Sequence, residues 1–338
     1  MTDQLKSCPW ITRYPENPVL KGEDVPYESS LVFNAGVARW QGRYVMVFRN
    51  DYRHLGGGRF EGTNIGLAFS EDGIQWKVEP EPCFDLKTNA ELRARFGVPE
   101  GEILRCYDPR LTVMDDAVYM TFAVDTLHGL RGGIARTRDF EDFEILSMTV
   151  PDNRNMVLFP EKVGGMYLRL ERPMPVYSRG RDRFDIWMSE SPDLKHWGES
   201  VLIAGVEDFP YANDKIGPGA PPVKTDRGWL VLTHGVDRDN SRGKNGWEDV
   251  WQKRYCAGML LLDPEDPRKV LGIYRKPLIA PETDYETEQG FRTNVIFPTG
   301  AVAEPDGTLK IYYGASDTVI ALAEAPMDKL VDLCLAGE

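Results

Sequence analysis

A carboxylate followed by proline, with a cation two positions on, stands at Tyr107-Asp108-Pro109-Arg110. Proline disfavours helical geometry in the residue before it, so Asp108 is expected in extended backbone, aimed with little freedom. A carboxyl held that way suits a general acid. It also suits plain structure, because residues two apart on a strand share a face and Asp108 could simply pair with Arg110. Four further groups suit anion binding, and each has an ordinary alternative. Arg154 stands in a polar turn typical of solvated surface, and Arg172 precedes Pro173 beside Glu171, a ready partner. Lys215 stands in a Gly/Pro loop where surface lysines are common, and His234 between Thr233 and Gly235 fits a hydrogen-bonded structural histidine.

The elements that must position these groups recur along the chain. Tyr44 to Phe48, Val118 to Ala123, Tyr167 to Leu170, Trp229 to Thr233 and Leu309 to Tyr313 are alternating β-branched and aromatic runs, each after a Gly- or Asp-rich turn. Each is followed by a loop and another such run. Five copies of strand, turn, strand, loop, strand without intervening helices predict an all-β chain, a five-bladed β-propeller. A pair of β-sandwiches is the competing arrangement. Residues 1–338 read as one such domain behind an extended, proline-rich lead-in over roughly residues 1–30. Only residues 89–96 have the composition of a short helix.

The repeats place Arg49, Asp125, Glu171 with Arg172, His234 and Asp317 just past equivalent strands. In a propeller that address is the mouth of the axial channel, where ligands bind. The stretch 237–254, with Trp247 and Trp251, is a loop whose tryptophans would either stack on a sugar or pack in the fold.

Composition sets bounds. Forty basic against 53 acidic residues leave a formal net charge of −13, which argues against nucleic-acid and anionic-membrane surfaces. The five cysteines are scattered and the four histidines lack ligand spacing, so no metal site and no cofactor is expected. Free thiols and the absence of a signal-like N-terminus point to a cytoplasmic location. Gly56-Gly57-Gly58 opens no helix and is not a phosphate loop.

Taken in order, Tyr107-Asp108-Pro109-Arg110, Val157-Leu158-Phe159-Pro160-Glu161-Lys162, Glu171-Arg172-Pro173, Lys215-Ile216-Gly217, Thr233-His234-Gly235, Phe297-Pro298-Thr299-Gly300 and Tyr312-Tyr313-Gly314-Ala315-Ser316-Asp317 resemble glycoside hydrolase family 130 over nearly the whole chain. The resemblance implies a five-bladed propeller, in a family made mostly of phosphorylases that split β-mannosides with inorganic phosphate. Carried over, it makes Asp108 the general acid, acting through the sugar's own 3-hydroxyl in one inverting displacement that yields α-mannose 1-phosphate. Arg154, Arg172, Lys215 and His234 would bind phosphate. Asn34, Arg49 and Asp317 would hold the mannosyl ring, and Arg110 is assigned to the substrate site with them. Family relatives are often oligomers, which implies a homo-oligomer here.

Charge chemistry agrees. An inverting hydrolase needs a second carboxylate to deprotonate water, whereas phosphate is already an anionic nucleophile and needs cations. A carboxylate ~4 Å from phosphate costs about 4 kcal/mol per charge pair at an effective dielectric of about 20, and a cation gains a comparable amount. Tyr107 and the Asn153-Arg154-Asn155-Met156 run resemble most the branch acting on 4-O-β-D-mannosyl-D-glucose. β-1,4-Mannooligosaccharides and mannosyl-N-acetylglucosamine are the competing substrates, and a catalytically silent carbohydrate-binding propeller is the competing class.

Overall fold

The computed structural model describes residues 5–87, 90, 93–94, 101–174, 184–242, 247 and 251–337. Five antiparallel sheets follow one another along the chain as the blades of a β-propeller. Blade I comprises Leu31–Trp40, Arg43–His54, Phe60–Ser70 and Lys77–Val78. Blade II comprises Ile103–Met114, Ala117–Thr126, Gly129–Thr137 and Glu144–Met148. Blade III is built from Asn153–Leu158, Tyr167–Pro173, Ile186–Ser191 and Gly198–Ala204. In blade IV the inner strand is split into Lys215–Pro218 and Val223–Thr225, both paired with Gly228–Arg238, and Lys253–Leu262 and Val270–Ile279 complete the sheet. Blade V holds Ile296–Ala303, Thr308–Ala315 and Val319–Pro326. Its outer strand is Thr12–Arg13, paired with Val319–Pro326 through Thr12↔Glu324 and Arg13↔Ala323, so the start of the chain closes the ring.

Hydrophobic burial explains why the blades stack radially. Five apolar clusters sit between successive blades, for example Val45, Val47, Val118 and Met120 between I and II, and Leu230, Leu261, Leu309 and Ile311 between IV and V. Each such side chain contributes about 1.5–3 kcal/mol when fully buried. The apolar faces are spent between blades, which leaves the inner strand edges free to carry polar groups to the axis.

Several expectations need correction. The blades have a fourth, outer strand that the repeat reading missed, because pieces such as Lys77–Val78 are too short to show alternation. The inner strands also extend well before the runs recognised in the sequence, as Leu31–Trp40 and Ile103–Met114. Their alternation is broken by bulges. Part of the lead-in is strand, not a free extension. Of the helix expected over 89–96, Ala90, Arg93 and Ala94 are helical and the remaining residues lie outside the described set. An unanticipated helix, Met327–Ala336, follows the last strand directly and buries Leu330, Val331 and Cys334. It ends at Gly337 in left-handed geometry, a common helix stop. The close approach of this helix to the strand Val270–Ile279 requires Gly272, where a Cβ would lie 2.0 Å from the Cys334 carbonyl oxygen. Among the described residues no helix is long and apolar enough to cross a membrane.

Candidate active site

Three inner strands carry the same irregularity. Opposite one residue of the neighbouring strand, blade I places two between Phe33 and Gly36, blade II two between Tyr107 and Arg110, and blade III two between Arg154 and Val157. Each extra position is opened by a polar residue with positive φ: Asn34 at 51°, Asp108 at 52° and Asn155 at 56°. Asn and Asp tolerate this left-handed conformation better than other side chains with a Cβ, and a bulge re-aims the side chain it contains. All three are buried. The extended geometry expected for Asp108 from Pro109 is therefore not what the chain adopts. The bulge overrides the proline's preference.

Asn34 Nδ2 donates to Asp108 Oδ1 at 2.9 Å, and Arg49 Nη1 lies 3.5 Å from the same oxygen. Arg49 is itself fixed by a two-pronged contact with Asp51, Nε to Oδ1 at 2.9 Å and Nη2 to Oδ2 at 2.7 Å. Arg110 does not bond the Asp108 carboxylate. Its Nη1 donates to the Asp108 carbonyl at 2.8 Å and its Nε to the Gly219 carbonyl at 3.1 Å, bracing the bulge from behind. Burial pushes the Asp108 carboxyl up, but the charges of Arg49 and Arg110, the Asn34 amide and Arg154 outweigh it and hold the group below the usual carboxylate range.

A second group, half-buried Arg154 with buried Arg172 and His234, is basic and has little anionic compensation. Arg154 Nη1 donates to Tyr107 Oη at 3.1 Å, and that hydroxyl donates to Asp125 Oδ1 at 2.7 Å. Arg172 Nη1 donates to His234 Nε2 at 2.9 Å. Since guanidinium only donates, Nε2 is the acceptor and His234 is the neutral tautomer protonated on Nδ1. Burial, then the charges of Arg172 and Arg110, holds the His234 pKa well below its ordinary value. Burial and the charges of Arg154 and Arg110 bring Arg172 down to about 9, and burial brings Arg110 down to about 10. Among the described residues Arg172 Nε and Nη2, Arg154 Nε, Arg110 Nη2 and His234 Nδ1 are buried without a hydrogen-bond partner.

One cleft is lined by Asn34, Arg49, Asp108, Arg154, Arg172, His234 and Asp317, so seven of the residues singled out in the sequence meet there. Arg110 and Lys215 are not in its lining. Lys215 belongs to a strand, not a loop, and its Nζ lies 4.6 Å from the Phe184 ring centroid. Burial, with Arg172 and Lys253, brings its pKa down to about 6. Of the residues at the repeated strand-end address, Asp125 instead holds Tyr107 and Arg105, and Glu171 holds Arg169 at 2.9 Å and Asn153 at 2.7 Å.

The sequence profile of glycoside hydrolase family 130, described as beta-1,4-mannooligosaccharide phosphorylase, matches residues 5–336. The chain belongs to glycoside hydrolase family 130. A beta-1,4-mannooligosaccharide phosphorylase of Ruminococcus albus is 31% identical to this family 130 chain, over 97% of it and 95% of the relative. A 4-O-beta-D-mannosyl-D-glucose phosphorylase of Bacteroides fragilis is 29% identical, over 89% and 74% respectively. Among solved structures, the β-1,2-mannobiose phosphorylase of Listeria innocua in complex with β-1,2-mannobiose has a TM-score of 0.80 at 26% identity, covering 96% of this chain and 99% of that one.

Other lining residues of this family 130 site carried no legible sequence signal. Asp51, Asn155, Tyr255 and Arg292 line the cleft with the expected set. Arg292 Nη1 lies 3.2 Å from Asp317 Oδ2. Burial raises the Asp317 pKa despite Arg292 and Arg49. Asn155 is the exception, since an Asn or Asp recurs at the bulge of three inner strands, as Asn34, Asp108 and Asn155. In the stretch 237–254, Trp251 is packing: it is buried, its Nε1 donates to the Thr293 carbonyl, and it stacks on Tyr255. Trp247 is 44% exposed.

Proposed function

We propose that this chain is an inverting phosphorylase that splits a β-mannoside with inorganic phosphate into α-D-mannose 1-phosphate and the aglycone sugar. The observation that carries the reading is the set of half-buried Arg154 with buried Arg172 and His234, which line the same cleft as Asp108 and hold N–H groups that have no partner among the described residues. Like charges packed together without compensation are costly, and a phosphate dianion both neutralises them and accepts their hydrogen bonds. Arginine forks suit two phosphate oxygens at once. Lys215, behind this group, adds positive potential once an arriving phosphate has raised its proton affinity.

The roles follow from that assignment. Asn34, Arg49 and Asp317 hold the mannosyl ring, and Arg110 braces Asp108. A phosphate oxygen attacks the anomeric carbon from one face as the bond to the aglycone oxygen breaks on the other. The Asp108 proton reaches that oxygen through the 3-hydroxyl, which passes on its own proton and takes the acid's. In the free protein the surrounding cations keep Asp108 ionised. Bound phosphate offsets their field and raises the acid's proton affinity, so co-substrate binding prepares the donor.

Within this class the assigned substrate is 4-O-β-D-mannosyl-D-glucose, supported by Tyr107 beside the acid and by the Bacteroides fragilis relative. β-1,4-Mannooligosaccharides are the competing substrates, supported by the Ruminococcus albus relative. Reverse synthesis from α-mannose 1-phosphate across glucose, mannose and N-acetylglucosamine acceptors tests both levels. Glucose should be the best acceptor; preference for mannose would reassign the substrate, and no transfer to any sugar would reject the phosphorylase reading.

A further inference from the structure

The lead-in does more than close the ring. Arg13, on the strand that completes blade V, reaches the loop between blades IV and V and grips Glu286, Nε to Oε1 at 2.8 Å and Nη2 to Oε2 at 3.0 Å. Glu286 is completely buried, and its carboxylate also accepts from the Tyr313 hydroxyl at 2.8 Å and the amides of Glu282 and Thr283 at 2.8 and 3.1 Å. Two further points of the lead-in hold the same loop. Ser7 Oγ donates to Glu282 Oε2 at 2.8 Å, and Asn17 Nδ2 donates to Tyr285 Oη at 3.1 Å.

Beyond Glu286 this loop delivers Phe291 and Arg292 to the cleft. Its far end is tied to the Asp317 turn: Phe291 N donates to Thr318 Oγ1 at 2.8 Å, Arg292 N to the Ser316 carbonyl at 3.0 Å, and Arg292 pairs with Asp317. The anchored loop therefore bears on the sugar-side residues. Arg154, Arg172 and His234 come from blades III and IV, and among the described residues none of them makes a hydrogen bond or ion pair with this loop.

We propose that Arg13, through Glu286, is a positioning residue that sets the sugar side of the cleft, so that the strand that closes the ring also serves mannoside binding. The kinetic half of this inference rests on the phosphorylase reading; the structural half does not. A planar fork matched to a buried carboxylate is poorly replaced by an ammonium, because two parallel bonds fix orientation where one does not.

The test compares Arg13→Met, and Arg13→Lys in case the first fails to fold, with the wild-type full chain. Two readouts are taken: separate KM values for mannosyl-glucose and for phosphate, and hydrogen exchange of the amides in 284–292. The expected result is faster exchange in that segment, with KM for the sugar raised about tenfold in the methionine variant and less in the lysine variant, and KM for phosphate unchanged. Unaltered exchange in 284–292, or equal rises in both KM values, overturns the proposal. A lower melting temperature with both KM values unchanged overturns it as well. Should the wild type turn over no mannoside, the phosphorylase reading fails, and the exchange comparison alone decides whether Arg13 sets the loop.

Discussion

Asn34 donates to Asp108 across the boundary between blades I and II, and both residues occupy the same left-handed bulge position of their inner strands. The carboxylate is thus aimed by a repeated backbone device, with its partner supplied by the neighbouring repeat. Asp108→Asn should preserve the fold, since Asn adopts this backbone conformation readily. Loss of a proton donor typically costs ~10²–10⁴ in rate, so kcat should fall by that factor while the melting temperature holds. A variant retaining wild-type kcat would remove Asp108 from the chemistry.

The two inner strands that bring Asn34 and Asp108 together touch at Gly36. A Cβ there would lie 2.7 Å from Arg110 Cα and 2.8 Å from the Leu111 nitrogen, both main-chain atoms that cannot swing aside. Gly36→Ala should therefore destabilise the protein by about 1–3 kcal/mol, as overpacking does. Urea unfolding measures this; an unchanged midpoint would show that the blades have slack at this point.

Phosphate should stabilise the folded protein without any sugar present. A ligand at a hundred times its Kd adds about 2.7 kcal/mol, which a thermal melt resolves. Arg172→Met removes a donor worth ~1.5–3 kcal/mol if it bonds phosphate, so the phosphate-induced shift should shrink or vanish and kcat/KM for phosphate should drop about 10- to 100-fold. An undiminished shift would place the anion elsewhere.

Much of this was legible in the chain. The second strand of each blade shows in runs such as Tyr44 to Phe48, because one strand buried between blades on both faces is rich in β-branched and aromatic residues. Asp108 and the cations showed as residue types. The inner strands did not show, since each bulge at Asn34, Asp108 or Asn155 shifts the alternation by one residue and makes a strand look like a turn. Arg154 reads as a turn residue for the same reason, and Lys215 reads as a loop residue because its four-residue strand contains Gly217 and Pro218. Which strand-end groups face the cleft was equally hidden: Asp125 and Arg49 read alike in sequence, and only packing turns the first toward Tyr107 and the second toward Asp108.

Binding of phosphate should be coupled to proton uptake through Lys215. Burial and the neighbouring charges of Arg172 and Lys253 bring its pKa from 10.5 down to about 6, so near pH 7.5, a working value of about the usual buffer range, the free protein holds it largely neutral. The unfolded chain binds this proton and the folded one does not between those two values, so the group's contribution to stability rises with pH across that window and its penalty is greatest below about 6. An arriving phosphate raises the lysine's proton affinity. Calorimetry in buffers of different ionisation enthalpy should show proton uptake that Lys215→Met abolishes; equal uptake in the variant would assign the proton to another group.

The proposed nucleophile is phosphate, not water. Phosphorus NMR of the protein with 4-O-β-D-mannosyl-D-glucose, with and without inorganic phosphate, tests it most directly. A growing α-mannose 1-phosphate resonance matched by released glucose is expected, with no glucose when phosphate is withheld. Glucose released at the same rate without phosphate, with free mannose as the other product, would contradict it.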